Sequence, residues 1–216
     1  MSELAPPNSL RPRIENLSDL VFGLALSIGS IILITKLPET PTALVTAIVL
    51  FGASFLIVVW IWSGYTRIQV ILPVEVEGAL LLNLVLLFCV AVEPYLFYVT
   101  NEGPSSLADF ASSVYAVDVG AMMLLLSALG YIVLREEKRR DVRKLPADRL
   151  NRFRRVMMWE VIAGAAFVIS ATPPFWVPVP LGGDLRFDSW YAVLAGFFAV
   201  GRLGRRTGDE KRLDSS

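Results

Sequence analysis

The sequence predicts an all-α membrane protein with six transmembrane helices and both termini in the cytoplasm. The chain is 55% hydrophobic with a mean hydropathy of +0.59, and its charged residues lie almost entirely between long apolar runs. A run of roughly 20 apolar residues is long enough to cross the hydrocarbon core of a bilayer. Six runs meet or approach this length, at about residues 18–36, 43–63, 75–99, 108–134, 156–173 and 188–203.

The positions of the basic residues give the orientation of these spans. If the N-terminus is inside, all Lys and Arg except Lys36 and Arg186 fall in cytoplasmic segments, which is 18 of the 20. Cytoplasmic loops are enriched in Lys and Arg, and an odd number of spans would place either the tail or the basic loop at 135–155 outside. We therefore expect an even number of spans with cytoplasmic ends.

This pattern divides the chain into three parts. Residues 1–16 form a polar cytoplasmic N-terminus, residues 17–203 form the six-helix transmembrane domain, and residues 204–216 form a cytoplasmic tail. Within the domain, the basic loop 135–155 is interpreted as a helix-like cytoplasmic linker near anionic lipid, and we expect no nucleic-acid partner. Pro and Gly residues between 173 and 183 interrupt the chain before the last and shortest span.

Missing residue types exclude several kinds of chemistry. The chain contains no histidine, which excludes Ser-His-Asp and Cys-His nucleophilic sites as well as histidine-based metal sites. The single cysteine, Cys89, lies in the third span, so no disulfide can form within the chain. No Gly-rich phosphate loop or CxxC pair is present. We therefore expect no enzymatic activity, no cofactor and no metal centre.

The first span begins with a polar cluster. Arg13, Ser18 and Asp19 stand at the mouth of an apolar helix, where charged groups are costly unless they pair or face water. We expect the three side chains to form a cluster at the cytoplasmic end that fixes the tilt of this helix. Direct ion binding by Asp19 is the alternative.

Deeper in the same span, one face carries a regular apolar stripe. Leu24, Ile28 and Ile31 recur at i, i+4 and i+7, and Ser27 lies on the same side. The stripe either packs ordinarily against lipid and other helices, or it surrounds an axis together with further copies of the helix. In the second case the aliphatic side chains form apolar rings that gate by dewetting, and Ser27 supplies a ring of hydroxyls.

Motifs in three spans are similar to those of a known family. Span one resembles the Arg-x-x-x-Phe-Ser-Asp signature on the first helix of the transmembrane protein 175 family of potassium channels, and the other motifs resemble that family's second and third helices. The matching segments are Arg13-x-x-x-Leu17-Ser18-Asp19, Ser54-Phe55 with Trp62, and Leu82-Asn83-Leu84-Val85-Leu86-Leu87-Phe88 followed by Pro94-Tyr95.

The resemblance implies a non-canonical potassium channel of a prokaryotic plasma membrane, assembled as a homotetramer and lacking the TVGYG filter. Potassium ions are then the permeant species, and the first helix of each subunit lines their pathway through the lipid bilayer. The family's narrowest point falls on Leu24, and its ion-discriminating hydroxyl falls on Ser27. Further hydrophobic pore positions fall on Ile28 and Ile31.

Two more residues are expected to support the pore helix. Asn83 lies within a span and needs a hydrogen-bond partner, which we expect to be Ser27 or Ser30, with Trp62 completing the contact. The chain also departs from the family pattern. Leu17 replaces the motif Phe, and Tyr65 stands where the family usually carries a histidine.

Two acids in the predicted outer halves of their spans, Glu93 and Asp118, have two interpretations. Each either bonds a hydroxyl or backbone group of a neighbouring helix or helps to form an outer vestibule that attracts cations. The main alternative function is a secondary transporter or proton-coupled carrier, which would favour inverted repeats and broken helices. A membrane enzyme or assembly protein without a pore is the third possibility.

Overall fold

The computed structural model describes residues 10–35, 37–69, 78–139, 147–179, 183–186, 188–190, 192–193 and 195–196. These residues form five long helices: α1 Leu10–Thr35, α2 Pro41–Gln69, α3 Ala79–Glu102, α4 Ser105–Arg139 and α5 Ala147–Ser170. After α5 come a 3-10 turn, Pro173–Phe175, and two short paired strands, β1 Pro178–Val179 and β2 Gly183–Asp184.

Four of these helices are long and apolar enough to cross a membrane. The membrane-competent segments are Pro12–Ile31, Pro41–Gln69, Ala79–Glu102 and Ser106–Glu136, and they coincide with the first four predicted spans. A mainly helical, multi-pass membrane protein is therefore the fold class that the described chain supports.

The described helices give less support to the last two predicted spans. The predicted span 156–173 lies mostly within α5, but this helix begins among charged residues and is not one of the four membrane-competent helices. Of the predicted span 188–203, the described positions 188–190, 192–193 and 195–196 are helical. The rest of that segment, like the tail 204–216, lies outside the described residues.

Helix boundaries also differ from the predicted segments. α1 begins at Leu10, inside the predicted N-terminal segment 1–16, and both ends of the predicted loop 135–155 are helical. Residues 135–139 extend α4 because Arg, Glu and Lys are good helix formers. Charges of opposite sign one turn apart add to this, with Arg139 Nη1 and Glu136 Oε1 separated by 3.5 Å.

The centre of the bundle is α4, which packs mainly against α3 and α5. Its contact with α5 is closest at a pair of glycines. A Cβ atom on Gly120 would lie 2.7 Å from the Gly164 carbonyl oxygen, and one on Gly164 would lie 2.9 Å from the Gly120 carbonyl oxygen. The two backbones touch at this crossing, as small residues allow in membrane helix pairs.

The segment after α5 folds over one end of α4 and α5, and we call its residues Trp176, Arg186 and Trp190 the C-terminal cap. Trp190 Nε1 donates to Ser170 Oγ at 2.8 Å, and its indole stacks on the Phe167 ring at a centroid distance of 5.6 Å. Arg186 is buried, with Nη2 3.5 Å from Asp109 Oδ1. Its guanidinium lies 5.8 Å from the centroid of the Trp176 ring.

Candidate functional site

α1 packs on α2 and α3 by one face, and none of the described residues covers the opposite face. Ser18, Phe22 and Ala25 are buried on the packed face. A helix turns about 100° per residue, so positions 24, 27, 28 and 31 fall on the other side. Leu24, Ile28 and Ile31 are 52%, 43% and 56% exposed, and Ser27 is exposed beside them. The structure thus brings the four predicted pore residues together on one open surface, which we call the α1 stripe.

The serine hydroxyls of this helix bond to their own backbone. Ser27 Oγ donates to the Gly23 carbonyl oxygen at 2.8 Å, and Ser30 Oγ donates to the Ser27 carbonyl oxygen at 2.7 Å. Neither hydroxyl meets Asn83, so the expected contact between Asn83 and these serines was wrong. Because the Ser27 hydrogen is used within the helix, its oxygen offers only acceptor lone pairs to anything facing the stripe.

Instead, Asn83 belongs to a buried network centred on the Tyr65 hydroxyl. Tyr65 donates to Asn83 Oδ1 at 2.6 Å and lies 2.5 Å from Ser18 Oγ, while Gln69 Nε2 donates to the same hydroxyl. Ser18 and Asn83 are 0% and 2% exposed. One phenol group therefore joins α1, α2 and α3, at the position where the resembled family carries histidine.

Hydrogen counting in this network favours one orientation of the Asn83 amide. With Oδ1 facing Tyr65, the buried Asn83 Nδ2 has no partner among the described residues. Turning the amide over lets Nδ2 donate to Tyr65 and frees the phenol hydrogen for Ser18. Ser18 in turn donates to the Ile14 carbonyl oxygen at 2.7 Å, so the turned amide leaves one Nδ2 hydrogen without a described acceptor instead of two.

The charged residues of the motif do not pair with each other. Trp62 Nε1 donates to Asp19 Oδ1 at 3.4 Å, and both side chains are exposed. Arg13 is also exposed, and no ion pair joins it to Asp19 in the described part of the chain. The expected Arg13–Asp19 cluster was wrong because residues six apart on a helix point in different directions, whereas residues three or four apart are neighbours.

A second polar group lies inside the bundle, away from the α1 stripe. Glu93 is 0% exposed. Its carboxyl group accepts hydrogen bonds from Ser54 Oγ at 3.0 Å and from the Tyr115 hydroxyl at 3.2 Å. Glu93 therefore bonds hydroxyls of α2 and α4, as the first interpretation of this acid predicted. Asp118 Oδ2 is buried without a hydrogen-bond partner among the described residues.

Sequence reasoning missed two members of these groups, Gln69 and Tyr115. Gln69 lies one turn after Tyr65, so the spacing alone could have placed it beside the phenol group. Tyr115 lies one turn before Asp118 on α4, which puts it on the face that carries the buried acid. In the part of the chain that the structure describes, no three His, Cys, Asp or Glu side chains are grouped so that they could hold a metal ion.

No family model, curated protein or solved structure matches this chain.

Proposed function

We propose that the protein is a potassium-permeable, leak-type cation channel whose pore is lined by α1 from each of four identical subunits. In this proposal the chain crosses a prokaryotic plasma membrane six times, with α5 and the helical segment after residue 188 as the fifth and sixth spans. Both termini are cytoplasmic, which keeps the basic residues 135–155 on the inner side.

The observation that carries the proposal is the α1 stripe. Here the exposed side chains of Leu24, Ile28 and Ile31 form a continuous aliphatic row with Ser27 beside it. Four copies of this row around an axis give three apolar rings and one ring of serine oxygens.

The chemistry of these rings suits a hydrophobic gate. Rings of Leu and Ile exclude water when they are narrow, so a small change in helix tilt changes conduction steeply. The Ser27 oxygens face the same space as acceptors, and oxygen ligands replace part of the water shell of a cation. Leu24 forms the ring nearest to the polar end of α1 and is our candidate for the narrowest point.

The polar residues of the α1 motif and their partners position the pore helix and do not line the pore. Ser18 ties the packed face of α1 to Tyr65 and through it to Asn83, and Trp62 reaches Asp19. These contacts hold the cytoplasmic end of α1 at a fixed angle. We assign Ser18, Asp19 and Asn83 to helix positioning rather than to ion binding.

The proposal predicts that Leu24→Ala raises potassium flux and weakens the preference for potassium over sodium. Removal of the side chain widens the constriction, and a barrier lower by roughly 1.4 kcal/mol raises the rate about tenfold. The measurement is potassium and sodium flux into liposomes that contain purified protein. Leu44→Ala is the matched control, because Leu44 is exposed on α2. Unchanged flux in Leu24→Ala would remove this residue from the constriction.

A proton-coupled carrier is the second candidate, and the buried Glu93 favours it. A carboxyl group enclosed by Ser54 and Tyr115 resembles the intramembrane acids through which carriers move protons. The rate of transport distinguishes the two functions. Flux above about 10³ ions per second exceeds typical turnover and supports a channel. Slow, saturable flux that Glu93→Gln abolishes supports the carrier.

A further inference from the structure

A cavity of about 420 Å³ lies between α1, α2 and α3, and the tight 37–40 connection also lines it. Gly29 contributes the α1 wall. Its missing side chain leaves room for the Phe51 ring, since a Cβ atom there would lie 3.3 Å from Phe51 Cε2. The volume falls within the range of about 300–1,000 Å³ that is typical of small-molecule sites.

The walls of the cavity combine aromatic rings with carboxyl groups. Phe51, Phe97 and Tyr98 supply three ring systems, and Glu39 and Glu102 supply two carboxylates. Aromatic faces attract cations through their quadrupole, and quaternary ammonium groups are the ligands that aromatic cages recognise best.

A third carboxyl group stands directly behind one wall. Ser54 lines the cavity, and its hydroxyl donates to Glu93 with both oxygen distances at 3.0 Å. A hydroxyl carries one hydrogen, so the Ser54 oxygen presents only acceptor lone pairs to the cavity. The Ser54 oxygen therefore complements a positive charge or a hydrogen-bond donor.

We propose that this cavity binds small amphipathic organic cations, with quaternary ammonium compounds as the best-fitting class. The apolar body lies against the aromatic rings and the cationic head faces Glu39 and Glu102. The site is separate from the α1 stripe, and its binding is measured without ion flux. A failure of the channel proposal therefore leaves this one intact, and the reverse also holds.

The test uses benzyltrimethylammonium as the probe and its uncharged isostere neopentylbenzene as the comparison. Binding to the full chain in phosphatidylglycerol nanodiscs is measured by saturation-transfer NMR. We expect saturable binding of the cation and weaker binding of the neutral compound. The double variant Glu39→Gln with Glu102→Gln should weaken cation binding about tenfold, because each carboxylate contributes part of the attraction. It should leave the neutral compound unaffected.

Asp188→Asn is the matched control, because it removes an exposed acid that does not line the cavity. Equal binding of both compounds, no binding of the cation, or an equal loss in Asp188→Asn would each overturn the proposal. A second variant, Ala47→Leu, fills the cavity with an apolar side chain and should abolish binding. Ala53→Leu, on the same helix but outside the cavity, should not.

The natural source of the cation is either a free compound or a choline-type lipid headgroup. Repeating the titration in nanodiscs that also contain phosphatidylcholine separates the two. Competition by this lipid assigns the site to a headgroup, and an unchanged affinity assigns it to a free ligand. Either result supports the proposed cation site only if the double variant Glu39→Gln with Glu102→Gln also loses binding. Retained binding in those variants overturns the proposal in both membranes.

Discussion

The Tyr65 hydroxyl connects the first turns of α1 to α2 and α3 by hydrogen bonds. The Tyr65 phenol contacts Ser18 on α1, Asn83 on α3 and Gln69 on its own helix. Its ring also lies 5.5 Å from the Phe22 ring, centroid to centroid. The phenol supplies the hydrogen bonds that a histidine could make at this position, but a tyrosine does not titrate near neutral pH.

We expect Tyr65→Phe to destabilise the fold by roughly 1–3 kcal/mol, because the buried amide of Asn83 then loses its partner. The measurement is the thermal unfolding midpoint in detergent. Tyr131→Phe is the matched control, since Tyr131 is 61% exposed on α4. An equal effect of both substitutions would mean that the hydrogen bonds of the Tyr65 hydroxyl contribute nothing to stability.

At the residue scale, the sequence identified which residues make polar contacts near the start of α1, but not which residues they contact. The motif pointed to Ser18, Trp62 and Asn83, and all three make contacts near the start of α1. The expected bond from Asn83 to Ser27 failed because the relative depth of two helices cannot be read from either one. Ser27 lies nine residues beyond Ser18, which is about 13.5 Å along the helix axis.

At the scale of helices, glycines give a direct backbone contact between α4 and α5 but none for α1. Gly120 and Gly164 bring two backbones together. Gly23, in contrast, has no atom of the described chain within 4 Å of a Cβ built on it. Hydropathy alone predicted four helices in the right places. It could not assign partners to the glycines, because spacing describes one helix and contact requires two.

The ends of α4 and α5 in the charged region between them were also not predicted. Hydropathy separates membrane from water but does not separate helix from loop. Residues 135–139 and 147–155 are helical, as expected of the helix-like linker predicted at 135–155, but hydropathy did not place the ends of α4 and α5 there. Helix propensity and the alternation of charge could have extended both helices, since neither signal depends on burial.

We expect Gly120→Ala to separate α4 from α5 and to destabilise the bundle by roughly 1–3 kcal/mol, as overpacking does in tight contacts. Unfolding in a denaturing detergent titration measures the change. Gly52→Ala is the control, because a Cβ atom at Gly52 meets nothing within 4 Å. If Gly120→Ala unfolds like the unmodified chain, the backbone contact is not tight.

At the scale of the whole molecule, the buried and open faces of α1 have different tasks. The face with Phe22 and Ala25 completes the core of one subunit. The face with the α1 stripe and Gly23 meets no described part of the chain, and in the proposed tetramer it faces the other subunits. In the proposed tetramer, subunit folding and subunit assembly therefore depend on different residues of the same helix, and substitutions can separate the two.

We expect Gly23→Leu to leave the subunit folded and to prevent assembly into tetramers. Leucine favours a helix over glycine by roughly 1 kcal/mol, and a Cβ atom at Gly23 lies within 4 Å of no atom of the described chain. Circular dichroism measures folding, and light scattering coupled to size-exclusion chromatography measures assembly. Gly52→Leu is the control at an equally open glycine on α2. Tetramers with normal flux in Gly23→Leu would place α1 away from the axis.

The C-terminal cap has a consequence for biosynthesis. Trp190 covers Phe167 and Tyr115 and satisfies Ser170, so these groups lack their final neighbour until residue 190 has left the ribosome. The chain is made from its N-terminus, and domains begin to fold as they emerge. A nascent chain that stops before Trp190 therefore presents an unfinished helix end, which is the kind of surface that chaperones and proteases recognise.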